Sequence, residues 1–80
     1  MAKILIVEDE ATVRDTLALN LRAEGYEVAT AADGEAGLAE ARSGKPDLVV
    51  LDVMLPVLDG LTVCRVLRRE STVPIILLTA

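Results

Sequence analysis

Aliphatic residues fall in short unbroken runs, separated by stretches with a helical period. Ile4–Val7 is the first run, too short for a helix and bracketed by charge. Such a run suits a strand covered on both faces, as in a parallel sheet. From Ala11 to Glu24 the period changes: Val13, Leu17 and Leu21 recur every four residues, while Arg14, Asp15, Arg22 and Glu24 take the other side. Gly25 stands where a helix end needs positive φ. Tyr26–Thr30 reads as a second strand. Asp33 is placed to cap a helix over Gly34–Ser43, with Glu35 complementing its dipole. Gly37 costs that helix up to about 1 kcal/mol relative to Ala, and Gly44-Lys45-Pro46 stops it. Asp47–Asp52 repeats the buried-strand pattern. After a loop over Val53–Asp59, Asp59-Gly60 opens a third helix to Glu70, with Leu61, Cys64 and Leu67 expected inward. Pro74–Thr79 is the fourth strand, with the proline tolerated at its start.

The order is βαβαβαβ. Crossovers of this length make the strands parallel and the connections right-handed. The fold class is α/β, a three-layer parallel sheet with no linker or internal repeat.

Composition narrows the function. The 80 residues carry 8 Lys+Arg against 13 Asp+Glu, a net charge of −5, with 52% hydrophobic residues. This is globular composition. The acidic balance argues against binding nucleic acid or an anionic membrane. Arg65, Arg68 and Arg69 then read as a solvated face. No apolar run approaches the roughly 18 residues of a membrane span, and no secretory signal opens the chain, so a cytoplasmic location is expected. Cys64 is the only cysteine, which excludes an internal disulfide and a zinc site built on cysteines; it reads as a small buried hydrophobe.

The candidate chemistry lies where strands end, which is where open α/β sheets bind ligands. Glu8 and Asp9 follow the first strand and Asp52 closes the third. If those strands are neighbours, three carboxylates converge and repel unless a cation neutralises them. Oxygen-only ligation by a few acids suits Mg²⁺, and a carboxylate beside Mg²⁺ can attack phosphorus to form an aspartyl phosphate. The alternative is plainer: Glu8 and Asp9 cap the first helix and Asp52 merely ends a strand. A dehalogenase-type hydrolase also uses a strand-end aspartate, but wants a second acid two residues on, where this chain has Met54. A dinucleotide site is excluded, because Glu8-Asp9-Glu10 occupies the turn where a phosphate would need glycines.

Val7-Glu8-Asp9-Glu10, Leu48–Asp52 with Val53-Met54-Leu55-Pro56 and Asp59-Gly60, and Pro74–Ala80, taken in this order and spacing, resemble the receiver domain of bacterial two-component response regulators. The resemblance runs through all 80 residues. It implies a flavodoxin-like fold of strand order 2-1-3-4 and a phosphoprotein, not a stand-alone enzyme. Asp52 would accept a phosphoryl group from a sensor histidine kinase. Mg²⁺ would be held by Asp9, by Asp52, by Glu8 through water and by the main-chain carbonyl of Met54. Thr79 would be the switch hydroxyl. Met54-Leu55-Pro56 also resembles regulators in which a winged-helix DNA-binding domain follows the receiver, which implies transcriptional control. The family's pattern continues with a fourth helix, a fifth strand, a lysine and a last helix. The expectation is therefore one receiver-like domain over residues 1–80, truncated before those elements and without an output domain. Neither Lys3 nor Lys45 is placed to replace that lysine. The alternative is a non-catalytic fragment that forms a homodimer, or pairs with a complementing chain, through an exposed Ile75–Thr79 edge; an isolated monomer is then not expected to be stably folded.

Overall fold

Strand β1 (Lys3–Val7) is the centre on which the rest is built, and its Leu5 and Ile6 are fully buried. It pairs in parallel with β2 (Glu27–Ala31) on one side and β3 (Leu48–Asp52) on the other; β3 pairs with β4 (Ile75–Leu78). The order is β2-β1-β3-β4, as expected. The computed structural model describes residues 2–78, so Thr79 lies outside the described residues.

Alternation along the strands sorts the aliphatic side chains onto two faces. Leu5, Val7, Val49 and Leu51 point to one side, where they meet Leu38 of α2 (Gly34–Gly44) and Val63 and Leu67 of α3 (Gly60–Glu70). Ile4, Ile6, Leu48 and Val50 point to the other, against Leu17, Ala18 and Leu21 of α1 (Ala11–Ala23). The unbroken runs in the sequence are this double burial. Ile76, in register with Val50, faces the α1 side and stays half exposed, because α1 packs over β1 and β2.

Helix ends follow their capping chemistry. Asp33 accepts from the Ala36 N–H at 2.7 Å, and Asp59 accepts from the Thr62 N–H at 3.0 Å. Gly25 has φ +94 after α1, whereas the turn after α2 is taken by Lys45 at φ +46 ahead of Pro46. Tyr26 precedes β2, held by its N–H to the Leu21 carbonyl of α1.

Two inward assignments are corrected. Val13 and Leu61 are exposed, and Ala18 and Val63 take the buried places. Both exposed residues lie in the first turn of their helices, and Val13 lines the cleft at the C-terminal end of the sheet instead of packing on it. Cys64 is half-buried beside the core. Among the described residues no helix is long and apolar enough to cross a membrane.

Deleting side chain from the centre of β1 should cost far more than a change on the helix surface. Leu5→Ala is expected to destabilise the chain by about 2–5 kcal/mol. Leu19→Ser, at a position 69% exposed, should stay within about 0.5 kcal/mol. Urea midpoints of the two variants test the difference.

Candidate functional site: a carboxylate cluster at adjacent strand ends

β1 and β3 run side by side with Val7 in register with Leu51, so the residues that follow each leave the sheet together. Carboxylate oxygens of Glu8, Asp9 and Asp52 lie within 4.8 Å of one another. Together with Glu10, Val13, Met54 and Leu78 they line a cleft of about 710 Å³. The four expected site residues among the described ones, Glu8, Asp9, Asp52 and Met54, are thus brought to one place.

Glu8 is not a capping residue. The N-cap of α1 is Glu10, and no side chain makes a capping bond there. Glu8 is instead only 7% exposed, and its Oε2 is buried without a hydrogen-bond partner. The reason is chemical: Glu8 faces Asp52, and two ionised carboxylates have four acceptor oxygens and no donor. Such a pair needs a proton, a cation or a donor such as water supplied from outside it. Hydrogen bonding to Asp52, burial, and the charges of Asp52, Asp9 and Glu10 push the Glu8 carboxyl up to about 7. A buried acid with an orphaned oxygen and two more carboxylates beside it is an oxygen-donor set that suits a hard divalent cation.

Asp52 is half-buried, and one of its oxygens accepts from the Met54 N–H at 3.1 Å. The Met54 side chain is 71% exposed at the rim of the cleft. The loop from Asp52 to Asp59 is clasped between two helix starts. A Cβ on Gly34 would overlap the Leu58 carbonyl, and one on Gly60 would overlap the Asp52 carbonyl. The Gly34 N–H meets the Pro56 carbonyl at 3.4 Å and the Gly60 N–H meets that of Val53 at 3.0 Å. Asp33-Gly34 and Asp59-Gly60 therefore cap their helices and also fix the backbone that carries Asp52.

The cationic side chains assigned elsewhere stay elsewhere. Lys3 lies at the opposite end of β1, where its Nζ donates to the Gly44 carbonyl at 3.3 Å, and Lys45 follows α2. Arg14 is the residue the sequence pattern misplaced: assigned to the polar side of α1, it is 19% exposed and donates to the main-chain oxygen of Glu8 at 3.1 Å. Its signal was available, since a cation in the first turn of a helix opposes the dipole.

Residues 4–80 match the response regulator receiver domain model. The chain belongs to that family. The receiver is similar to the transcriptional regulatory protein AfsQ1 of Streptomyces coelicolor, 54% identical over 80 residues, which are all of this chain and 36% of that protein. It is similar also to the alkaline phosphatase synthesis transcriptional regulatory protein PhoP of Bacillus subtilis, 53% identical over 79 residues, covering 98% of this chain and 33% of that one. The chain thus spans about a third of the length of these curated relatives. Among solved structures it superposes on the response regulator TrrA of Thermotoga maritima in complex with Mg²⁺–BeF with a TM-score of 0.94 and 44% identity, covering all of this chain and 70% of that one. A Francisella receiver domain gives a TM-score of 0.96 at 27% identity, covering all of this chain and 67% of that one. The flavodoxin-like receiver fold expected from the motifs is the fold observed.

The raised Glu8 pKa has a consequence for the receiver's stability. The folded state holds a proton that the unfolded chain releases near 4.5. The stabilisation from that proton is complete below 4.5 and is lost as pH rises through about 7. With metal removed by chelator, the urea midpoint should fall between pH 5 and 8, and Glu8→Gln should flatten that dependence. A wild-type profile as flat as the variant's would contradict the assignment.

Proposed function

We propose that this chain is the phosphoryl-accepting part of a response regulator, with Asp52 as nucleophile and a sensor histidine kinase as donor. The observation that carries the proposal is the convergence of Glu8, Asp9 and Asp52 at the ends of adjacent strands, with Glu8 Oε2 buried and unpaired. In the transfer, an Asp52 oxygen attacks phosphorus as the bond from phosphorus to the donor's histidine nitrogen breaks, leaving an acyl phosphate on Asp52 and a free imidazole. The Met54 N–H holds one Asp52 oxygen and orients the carboxylate, leaving the other to attack. The clasped loop holds the backbone that carries that carboxylate.

Asp9 and Asp52 would hold Mg²⁺ directly, Glu8 through a water, and the Met54 main-chain carbonyl would complete the protein's share. When bound, Mg²⁺ supplies neutralisation of the carboxylates and of the negative charge on the transferring group. Thr79, outside the described residues, is assigned the switch hydroxyl by resemblance. Control of transcription is supported by the names of the relatives. A DNA-contacting role is placed outside residues 1–80, and this segment is read as one receiver domain that assists its own phosphorylation without being a stand-alone enzyme. Pairing of two copies through the β4 edge is supported by no comparison.

Intact mass after incubation with acetyl phosphate and Mg²⁺ tests the proposal. One phosphoryl adduct is expected, lost with chelator and in Asp52→Asn, and formed at least about tenfold more slowly in Asp9→Asn. No adduct on a folded wild-type chain would remove Asp52 as phosphoacceptor.

Met54 offers a second test. Its apolar side chain lines the rim of the cleft, where it would hinder water from reaching an acyl phosphate on Asp52. Met54→Asn, which places a polar group there, should shorten the adduct's half-life severalfold; an unchanged half-life would assign that shielding to another group.

A further inference from the structure

We infer that Arg14 is a positioning residue for the divalent-cation site, an inference that rests on the reading of Glu8, Asp9 and Asp52 given above. Its environment has three features that a solvated surface arginine lacks. The side chain is 19% exposed although α1 is a surface helix. It lies in the first turn of α1, where the helix dipole disfavours a positive charge. And its Nη1 reaches back six residues to donate to the main-chain oxygen of Glu8 at 3.1 Å.

That bond replaces what the helix start lacks. The N-cap residue Glu10 makes no side-chain cap bond, and the first turn contains no acid. The chain between β1 and α1 carries Glu8, Asp9 and Glu10, whose like charges push it open. The Glu8 N–H is tied to the Ala31 carbonyl at 3.0 Å, and the Arg14 N–H to the Glu10 carbonyl at 2.9 Å. The guanidinium on the Glu8 carbonyl closes the remaining side. The acid-bearing segment is thereby held between β2 and α1 so that its carboxylates face Asp52. The contact of Arg14 with Asp15 is longer, 3.8 Å, and Asp15 is 75% exposed, so that pair contributes little.

Charge and position make opposite predictions for this residue. A cation beside a cation site repels the incoming ion, so on charge alone its removal tightens metal binding. If Arg14 positions the acids, its removal loosens binding. Calorimetric titration of the full 80-residue chain with Mg²⁺ separates the two. Arg14→Met, which keeps the aliphatic stem without charge or donor, is expected to raise the Kd about tenfold, or about 1.4 kcal/mol. Arg14→Lys, with its charge and a single donor group, should fall between. The loss should persist at high salt, where a purely electrostatic effect is screened. Circular dichroism establishes that each variant is folded; if Arg14→Met is not, Arg14→Lys carries the test, and its binding must be weaker than wild type. Equal or tighter Mg²⁺ binding by a folded variant overturns the inference and leaves the acidic site standing. Absence of Mg²⁺ binding by folded wild-type chain overturns the site reading and this inference with it.

Discussion

Repulsion among three carboxylates held at adjacent strand ends is the constraint around which this molecule is arranged. β1 is buried on both faces and paired on both edges, so its aliphatic run has no freedom to slide. A one-residue slip would send every side chain to the opposite face. The run ends abruptly at Glu8, which is carried into a nearly buried position beside Asp52. Packing of Leu5, Ile6, Val49 and Leu51 thus does work against electrostatics. The hydrophobic gain of the sheet holds together charges that would separate if free, and the orphaned Glu8 oxygen records the conflict. The acids are brought together by the scaffold, and not by a ligand, which is the pre-organisation that the proposed cation and phosphoryl group would use.

The same economy appears in the loop after β3. Its backbone is pressed between the starts of α2 and α3, at Gly34 and Gly60, where no side chain fits. Each glycine follows an aspartate whose side chain caps the helix. Two short Asp-Gly pairs, far apart in sequence, therefore start two helices and also brace the segment that follows Asp52. Val57 in this loop has φ +69, a conformation that costs a β-branched residue energy. It persists because both ends of the loop are held. Stability and site geometry are coupled here, since loosening either helix start loosens the Asp52 backbone.

Strand and helix positions followed from local chemistry, because the signals are local. Unbroken aliphatic runs require two-sided burial, Asp33 and Asp59 supply caps, and Gly25 supplies a left-handed turn. The strand-end position of Glu8, Asp9 and Asp52 was also legible, since a carboxylate directly after a buried run has few structural reasons to be there. Their separate motifs, in order, were enough to bring the family into view.

What tertiary structure decided is which of the candidate faces meets what. Val13 and Leu61 continue the helical period of their neighbours, yet each lies in a first turn and is exposed, while Ala18 and Val63 take the buried places. Gly37 reads as a weakness in a helix until its contact with Val7 is seen: a Cβ there would come within 2.7 Å of that side chain, so glycine lets α2 lie close on β1. Arg14 reads as surface until the turn between β1 and α1 folds back to bring the Glu8 carbonyl within its reach. The sequence alone determined the elements, their parallel order and the acids at the strand ends, because hydrophobic period and capping act over a few residues. Only the tertiary structure decided that Glu8 is buried beside Asp52 with its Oε2 unpaired and that Arg14 is tied to its backbone, because both depend on the adjacency of segments brought together by the β1–β3 and β1–α1 packing.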